Sequence, residues 1–290
     1  MGFFSPNFAK TGKGVSKEKA MKRDYFDILG LRFWDLIKIN LLYVLCNIPA
    51  VILCVLLGSI FWAKENIVFY LEQILVGNNL VVFSMVIPLF PLVLTGPFTA
   101  GLTYIVRNFV KREPVFLFSD FFEHSKKNIK QSLIINVILF VIFSVFASAS
   151  AYYLISSNSI FARAMLIFIA IMLCSLAFYV YPLMVSFELK IRDIIKNSWI
   201  FALSKLFQNL FFLIILVALH LSGTGLYGGH AALIWTVLMV VFLIAWSAYT
   251  VNYYAWHVIE MYMFKDENEE DNNEENKSDE INEEDKNENN

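Results

Sequence analysis

The chain has 290 residues, of which 58% are hydrophobic and only 17% charged, too apolar a composition for an ordinary soluble domain. Its net charge of −2 hides an asymmetry: residues 266–290 hold 13 of the 25 acids and two lysines, leaving a body with 21 Lys and Arg against 12 Asp and Glu, or +9. Cys46, Cys54 and Cys174 all lie in apolar runs, where a free thiol behaves as a small hydrophobe, and no CxxC or Cys/His spacing suggests a zinc site or a disulfide framework.

Residues 1–38 form a basic segment. Its polar first 30 residues give no cleavable signal peptide, and Pro6 stands where a myristoylation motif needs Ser or Thr. MGFFSPNF sets three Phe beside a proline and suits the headgroup layer. The lysine-rich stretch behind it would be drawn to anionic inner-leaflet lipids at about 1 kcal/mol per cation. A flexible leader that only sets topology is the plainer reading of the same residues.

A membrane span needs about 20 predominantly apolar residues. Six stretches qualify, at roughly 39–62, 80–106, 132–156, 160–187, 208–222 with its flanks, and 231–257. Six such runs leave no polar faces to cover a soluble core. The expected fold is therefore an all-α membrane domain over 39–264, with six transmembrane helices as three hairpins, amphipathic cytoplasmic helices, and a disordered acidic tail at 265–290. Lys and Arg place both termini in the cytoplasm: eight precede the first span, six follow the second and four follow the fourth, against Lys64 and Arg163 in the outer loops.

Within the spans, Asn47 precedes Pro49, which cannot donate a backbone hydrogen bond, so its amide is expected to serve a freed carbonyl or a neighbouring helix. The second span carries Pro88, Pro91 and Pro97 with Gly96 and Gly101. Such broken helices line substrate sites in transporters and also occur as simple kinks, while Gly96 and Ala100 offer a small face for close helix contact. After the Glu113–Pro114 turn, Asp120 is expected to cap a helix with Glu123 three residues on. Phe122, Ser125, Ile129 and Leu133 would share one face, with Lys126, Lys127 and Lys130 on the other. Arg107, Lys111 and Arg112 add to this cationic surface, which would contact the membrane or a partner. A second amphipathic helix is expected over Asp193–Asn209, with Ile194, Ile195, Trp199 and Leu203 on one side. Similar phrases, LIKINLL, NIKQSLI and KLFQNLF, lead into spans one, three and five and suggest a repeat.

MGFFSPNF, LIKINLLYVLCNIP, TGPFTAGLTYIVRNFVKREPVFLFSDFFEHSKKNIKQSL and YPLMVSFELKIRDIIKNSWIFAL together resemble the YesL family of uncharacterised bacterial membrane proteins. The resemblance covers most of residues 1–210 and leaves out the acidic tail. It implies a polytopic membrane protein without established activity, whose relatives tend to accompany carbohydrate-uptake systems. It supplies no catalytic residue.

Ionisable groups near the membrane are the remaining candidates for chemistry. Glu188 follows span four, and His257 and Glu260 sit three apart at the end of span six, suited to a metal, a proton relay or an interfacial hydrogen-bonded pair. His220 and His230 flank the glycine-rich SGTGLYGG. No GxSxG, HExxH, Walker A or GxGxxG segment occurs, so neither catalysis nor a cofactor is expected, and no nucleic-acid partner. The function that fits is a non-catalytic accessory or regulatory protein that binds the inner leaflet and subunits of a membrane transport system. A small-molecule transporter is the alternative, and an enzyme using Glu188, His257 and Glu260 the third reading.

Overall fold

The computed structural model describes residues 25–63, 72, 85–156, 159–221 and 230–263. MGFFSPNF and the lysines behind it, Lys64, SGTGLYGG and the acidic tail fall outside these residues, as do the side chains of His220 and His230. Among the described residues the chain is helical, without a strand. In order come α1 (Tyr25–Leu31), α2 (Phe33–Phe61), a 3₁₀ segment (Ile87–Thr95) running into α3 (Gly96–Lys111), α4 (Leu117–Lys127), α5 (Ile129–Ser156), α6 (Ile160–Ser186), α7 (Ile191–Ser204), α8 (Leu206–Leu221), α9 (His230–Leu238), a π-helical turn (Met239–Leu243) and α10 (Ile244–Met263).

Five helical stretches are long and apolar enough to cross a membrane, and α7 with α8, bent by 93°, makes up to six. This marks a membrane protein. The second stretch, Ile87–Lys111, is the central post: 56% of its apolar window is buried, against 17–22% in the other four. Its flanks hold two packed clusters. Ala100 faces Ile135, Leu176, Tyr179, Leu183 and Ile259 on one side, while Ile105, Val106 and Phe109 face Leu36, Ile39, Phe121 and Tyr249 on the other. The apolar residues left outside, such as Leu45, Val51 and Val55 on α2 and Val141 and Val145 on α5, form the lipid-facing surface.

A local unit occurs three times: a short helix, one hinge residue, then a long apolar helix. The hinges are Arg32 (φ −104°, ψ 10°), Asn128 (φ −100°, ψ 9°) and Lys205 (φ −122°, ψ 34°), all close to the bridge region. Each hinge N–H donates four residues back, at 2.9, 3.2 and 3.2 Å, and each hinge carbonyl accepts from four residues on, at 2.8, 2.9 and 2.8 Å. Those acceptor partners, Leu36, Ser132 and Asn209, are all fully buried at 0% exposure. The chain thus changes helix at each hinge with few lost backbone bonds. The register corrects the sequence phrases. NIKQSLI and KLFQNLF do begin at their hinges, but LIKINLL begins one helical turn late, and the matching segment is RFWDLIK.

Other boundaries also move. The first long helix starts at Phe33 rather than near residue 39, because apolar Phe33 and Trp34 extend it beyond the continuous apolar run. The helix expected over Asp193–Asn209 breaks at Lys205, and its buried stripe is Ile194, Ser198, Phe201 and Ala202 while Leu203 is exposed. On α4 the buried aromatic is Phe121 rather than Phe122, since α4 crosses α3 and stacks Phe121 on Phe98 at 6.3 Å.

Candidate functional site

The proline-rich second span has its freed carbonyl re-satisfied by a neighbouring helix. Pro97 has no N–H for Val93 O, its α-helical partner position. The carbonyl instead takes the Gly96 N–H and, at 3.2 Å, Asn136 Nδ2 from α5. Asn136 Oδ1 accepts from the Tyr181 hydroxyl of α6 at 2.5 Å. Gly96 permits this approach, because a Cβ there would lie 2.9 Å from Ser132 O. Gly101 does the same for α4: a Cβ would meet Ser125 Oγ and lie 2.6 Å from Phe121 O. Pro88 and Pro91 are buried within the 3₁₀ segment.

Two further amides tie distant helices. Asn40 Nδ2 donates to Met239 O (3.2 Å) and Val240 O (2.6 Å) of the π turn, and its Oδ1 accepts from Ala245 N at 2.6 Å. A π turn misaligns backbone groups, and this side chain re-satisfies them. Asn209 Oδ1 accepts from Tyr179 and Tyr254 at 2.7 Å each, and Nδ2 donates to Ala202 O at 3.0 Å. Nothing in the sequence patterns singled out Tyr179, Tyr181 or Tyr254 as partners, because each contact joins segments 30 or more residues apart.

The charged chemistry gathers where α2, α5 and α8 begin and α3, α6 and α10 end. Lys111, Arg112, Lys126, Lys127, Lys130, Lys190 and Arg192 stand at this basic end, whereas Arg163 is the described cation at the opposite one. Arg107 is the buried member, only 8% exposed. Its guanidinium lies 4.7 Å from the Tyr104 ring and donates to Asn108 Oδ1 (2.6 and 3.0 Å), Val185 O (2.8 Å) and Ser186 Oγ (3.3 Å). It was expected on the contact surface and is instead a strut joining α3 to the end of α6. His124 stacks on the other partner of this group, Tyr104, with ring centroids 3.3 Å apart. Burial pushes the His124 pKa below its ordinary value, with the Glu123 carboxylate opposing the shift.

Beside Arg107 a polar cleft of about 480 Å³ opens between α4, α5 and the α6–α7 link. His124, Lys127, Gln131, Ser186, Glu188 and Lys190 line it, and Gln131 Nε2 holds Leu189 O at 2.8 Å. Glu188, with its side chain 95% exposed, sits 3.9 Å from Lys127 Nζ. This arrangement can bind an anionic or hydrogen-bonding group. It holds no desolvated carboxylate of the kind a proton relay requires.

The remaining candidates are dispersed. Asp120 is not the N-cap. Phe116 takes that position, and Asp120 Oδ2 reaches back from the first turn to accept from Phe116 N at 2.9 Å. Lys111 pairs with Glu113 at 2.5 Å and lies 5.0 Å over Trp256, and Arg112 adopts φ 60° in the left-handed turn that ends α3. Lys126, Lys127 and Lys130 are exposed, but Lys126 lines the same lateral cleft as Phe122, Ser125, Ile129 and Leu133, because the Asn128 hinge rotates α4 relative to α5. His257 and Glu260 do not form a bonded pair: His257 Nδ1 lies 2.8 Å from its own helix's Tyr253 O, and both line a shallow cleft with Lys111 and Trp256. Asn47 Nδ2 donates to Tyr43 O at 2.8 Å, the carbonyl one turn back, rather than to the Leu45 carbonyl that Pro49 frees. Among the described residues no group of three His, Cys, Asp or Glu is placed to hold a metal ion.

Residues 36–149 match a family described as "Protein of unknown function, DUF624". No curated protein and no solved structure matches the chain. The matched interval holds the central post, the α4 crossing and the Asn128 hinge, and ends within α5.

Proposed function

We propose that the protein is a non-catalytic accessory or regulatory component of a bacterial cytoplasmic membrane, associated with carbohydrate uptake as the YesL resemblance implies. In this reading six spans form three hairpins with both termini cytoplasmic, and the basic end with its Lys127–Glu188–Lys190 cleft faces the cytoplasm to receive a partner subunit. The segregation of cations to one end of the bundle supports that orientation.

The observation that carries the reading is the use made of mid-span polarity. Asn40, Asn136 and Asn209 are engaged with backbone and tyrosine groups, which supports a structural use of these amides over a solute-binding one. A transporter needs convergent polar groups near mid-membrane. The polar cleft lies instead at the basic end, among residues that a docking partner can reach.

Purification in nanodiscs from the native membrane, followed by mass spectrometry, tests this. Sugar-uptake subunits should be recovered in fixed ratio with the wild-type chain and be lost with Lys127→Gln, Lys130→Gln and Lys190→Gln combined. Isolation of the protein alone, together with solute uptake in reconstituted liposomes, would overturn the accessory reading in favour of the transporter.

A further inference from the structure

A second cleft, on the side of the bundle, has a different character. It encloses about 480 Å³ between α2, the start of α3, α4 and α5. Its walls are Ala50, Leu94, Phe98, Phe122 and Leu133 with other apolar groups, and exposed Lys126 stands at its rim. Lys126 forms no ion pair with any described residue.

Two polar atoms in these walls are unpartnered. Asn47 is 6% exposed and its Oδ1 has no hydrogen-bond partner, and Ser125, 3% exposed, has none for Oγ. Asn252 Oδ1 on α10 and Ser150 Oγ on α5 are likewise unpartnered, but only in this cleft among the described ones do two such atoms share the walls with a cation. A buried polar group without a partner costs about 1–3 kcal/mol, which a ligand that supplies the missing bond recovers.

We propose that this cleft binds one anionic glycerophospholipid whose headgroup carries a free hydroxyl. The chemistry selects it group by group. Lys126 takes the phosphate, since a lone ammonium at an apolar rim favours a negative charge. Asn47 Oδ1 can only accept, so phosphate and ester oxygens cannot serve it and a hydroxyl can. Ser125 Oγ can donate to an ester or phosphate oxygen or accept from the hydroxyl. The acyl chain lies along Ala50, Leu94 and Leu133. Another lateral cleft, of about 550 Å³ between Val86–Val93 and Asn136–Ser150, also has an unpartnered atom, Ser150 Oγ, but no cation, and so contrasts with this one in charge. The site rests on the membrane assignment and not on the accessory reading, so the two stand or fall separately.

The test is native mass spectrometry of the full chain after transfer from nanodiscs of phosphatidylglycerol or of phosphatidylcholine. One phosphatidylglycerol should stay bound and phosphatidylcholine should not. Lys126→Gln should lower retention about five-fold, the effect of one cation near an anionic lipid. Asn47→Ala should remove the preference for phosphatidylglycerol over phosphatidic acid while leaving Lys126-dependent retention in place. Lys130→Gln, which changes a cation outside the cleft, should leave retention unchanged. Equal loss from Lys126→Gln and Lys130→Gln would reduce the effect to surface charge and overturn the site. So would retention indifferent to Asn47. Melting of each lipid-free variant at the wild-type temperature separates lost binding from lost folding.

Discussion

Asn209 and Asn47 are both asparagines buried beside apolar helices, yet they are opposites. Asn209 meets two tyrosine hydroxyls and a carbonyl from three other helices, whereas Asn47 bonds only one carbonyl of its own helix and leaves Oδ1 unpaired. The first amide is part of the architecture, because removing it strands its partners. The second bonds nothing outside its own helix, and its residue lines the lateral cleft. In a membrane protein short of charged groups, the state of each buried amide thus separates scaffold from site more sharply than residue type does.

The largest expected effect breaks the Asn209 side of this contrast. Asn209→Leu leaves the Tyr179 and Tyr254 hydroxyls and the Ala202 carbonyl without their partner. A loss of roughly 2–3 kcal/mol is expected from equilibrium unfolding in mixed micelles. Asn47→Ala in the same assay should stay within about 0.5 kcal/mol of wild type. Equal losses would dissolve the distinction.

Gly101→Ala sharpens the comparison from the α3–α4 contact behind Ser125. The new Cβ would meet Ser125 Oγ and the Phe121 backbone at 2.6 Å, so α4 must move off α3. A destabilisation of about 1–3 kcal/mol is expected, the usual cost of forcing extra volume into a packed contact. Cysteine cross-linking between α3 and α4 should weaken in parallel.

The smallest effect is pH-dependent and confined to α4. His124 is held below its ordinary pKa by burial, so the folded state favours the neutral ring and the unfolded chain takes the proton more readily. Stability should be fully present above about pH 6.5 and should fall as the pH drops from there through the lowered folded value. His124→Phe should flatten that slope, whereas Asn209→Leu should leave it unchanged. A slope that persists in His124→Phe would place the titrating group elsewhere.

Much of this was legible from residue order because it depends on local composition. Apolar length marked the spans, the prolines marked the break in the second, and Lys and Arg marked one end as basic. The phrases at spans three and five begin at two of the hinge residues, although the helix expected over Asp193–Asn209 ran through the second. The first phrase slipped by a turn because Arg32, the hinge residue, resembles any other cation in a basic leader, and only its backbone conformation distinguishes it. Phe122 was placed on the apolar face while Phe121 is the residue buried, because helical periodicity fixes which residues share a face but not which face meets α3.

What the sequence determined by itself was the class of protein, its apolar spans and the segregation of charge, since hydropathy and charge act residue by residue along the chain. The burial of Arg107, the separation of His257 from Glu260, the bonding of the freed Val93 carbonyl by Asn136, and the unmatched polarity of Asn47 and Ser125 were decided only by tertiary structure. Hydrogen-bond satisfaction is a property of pairs, and these pairs are set by packing between helices that lie far apart in the chain.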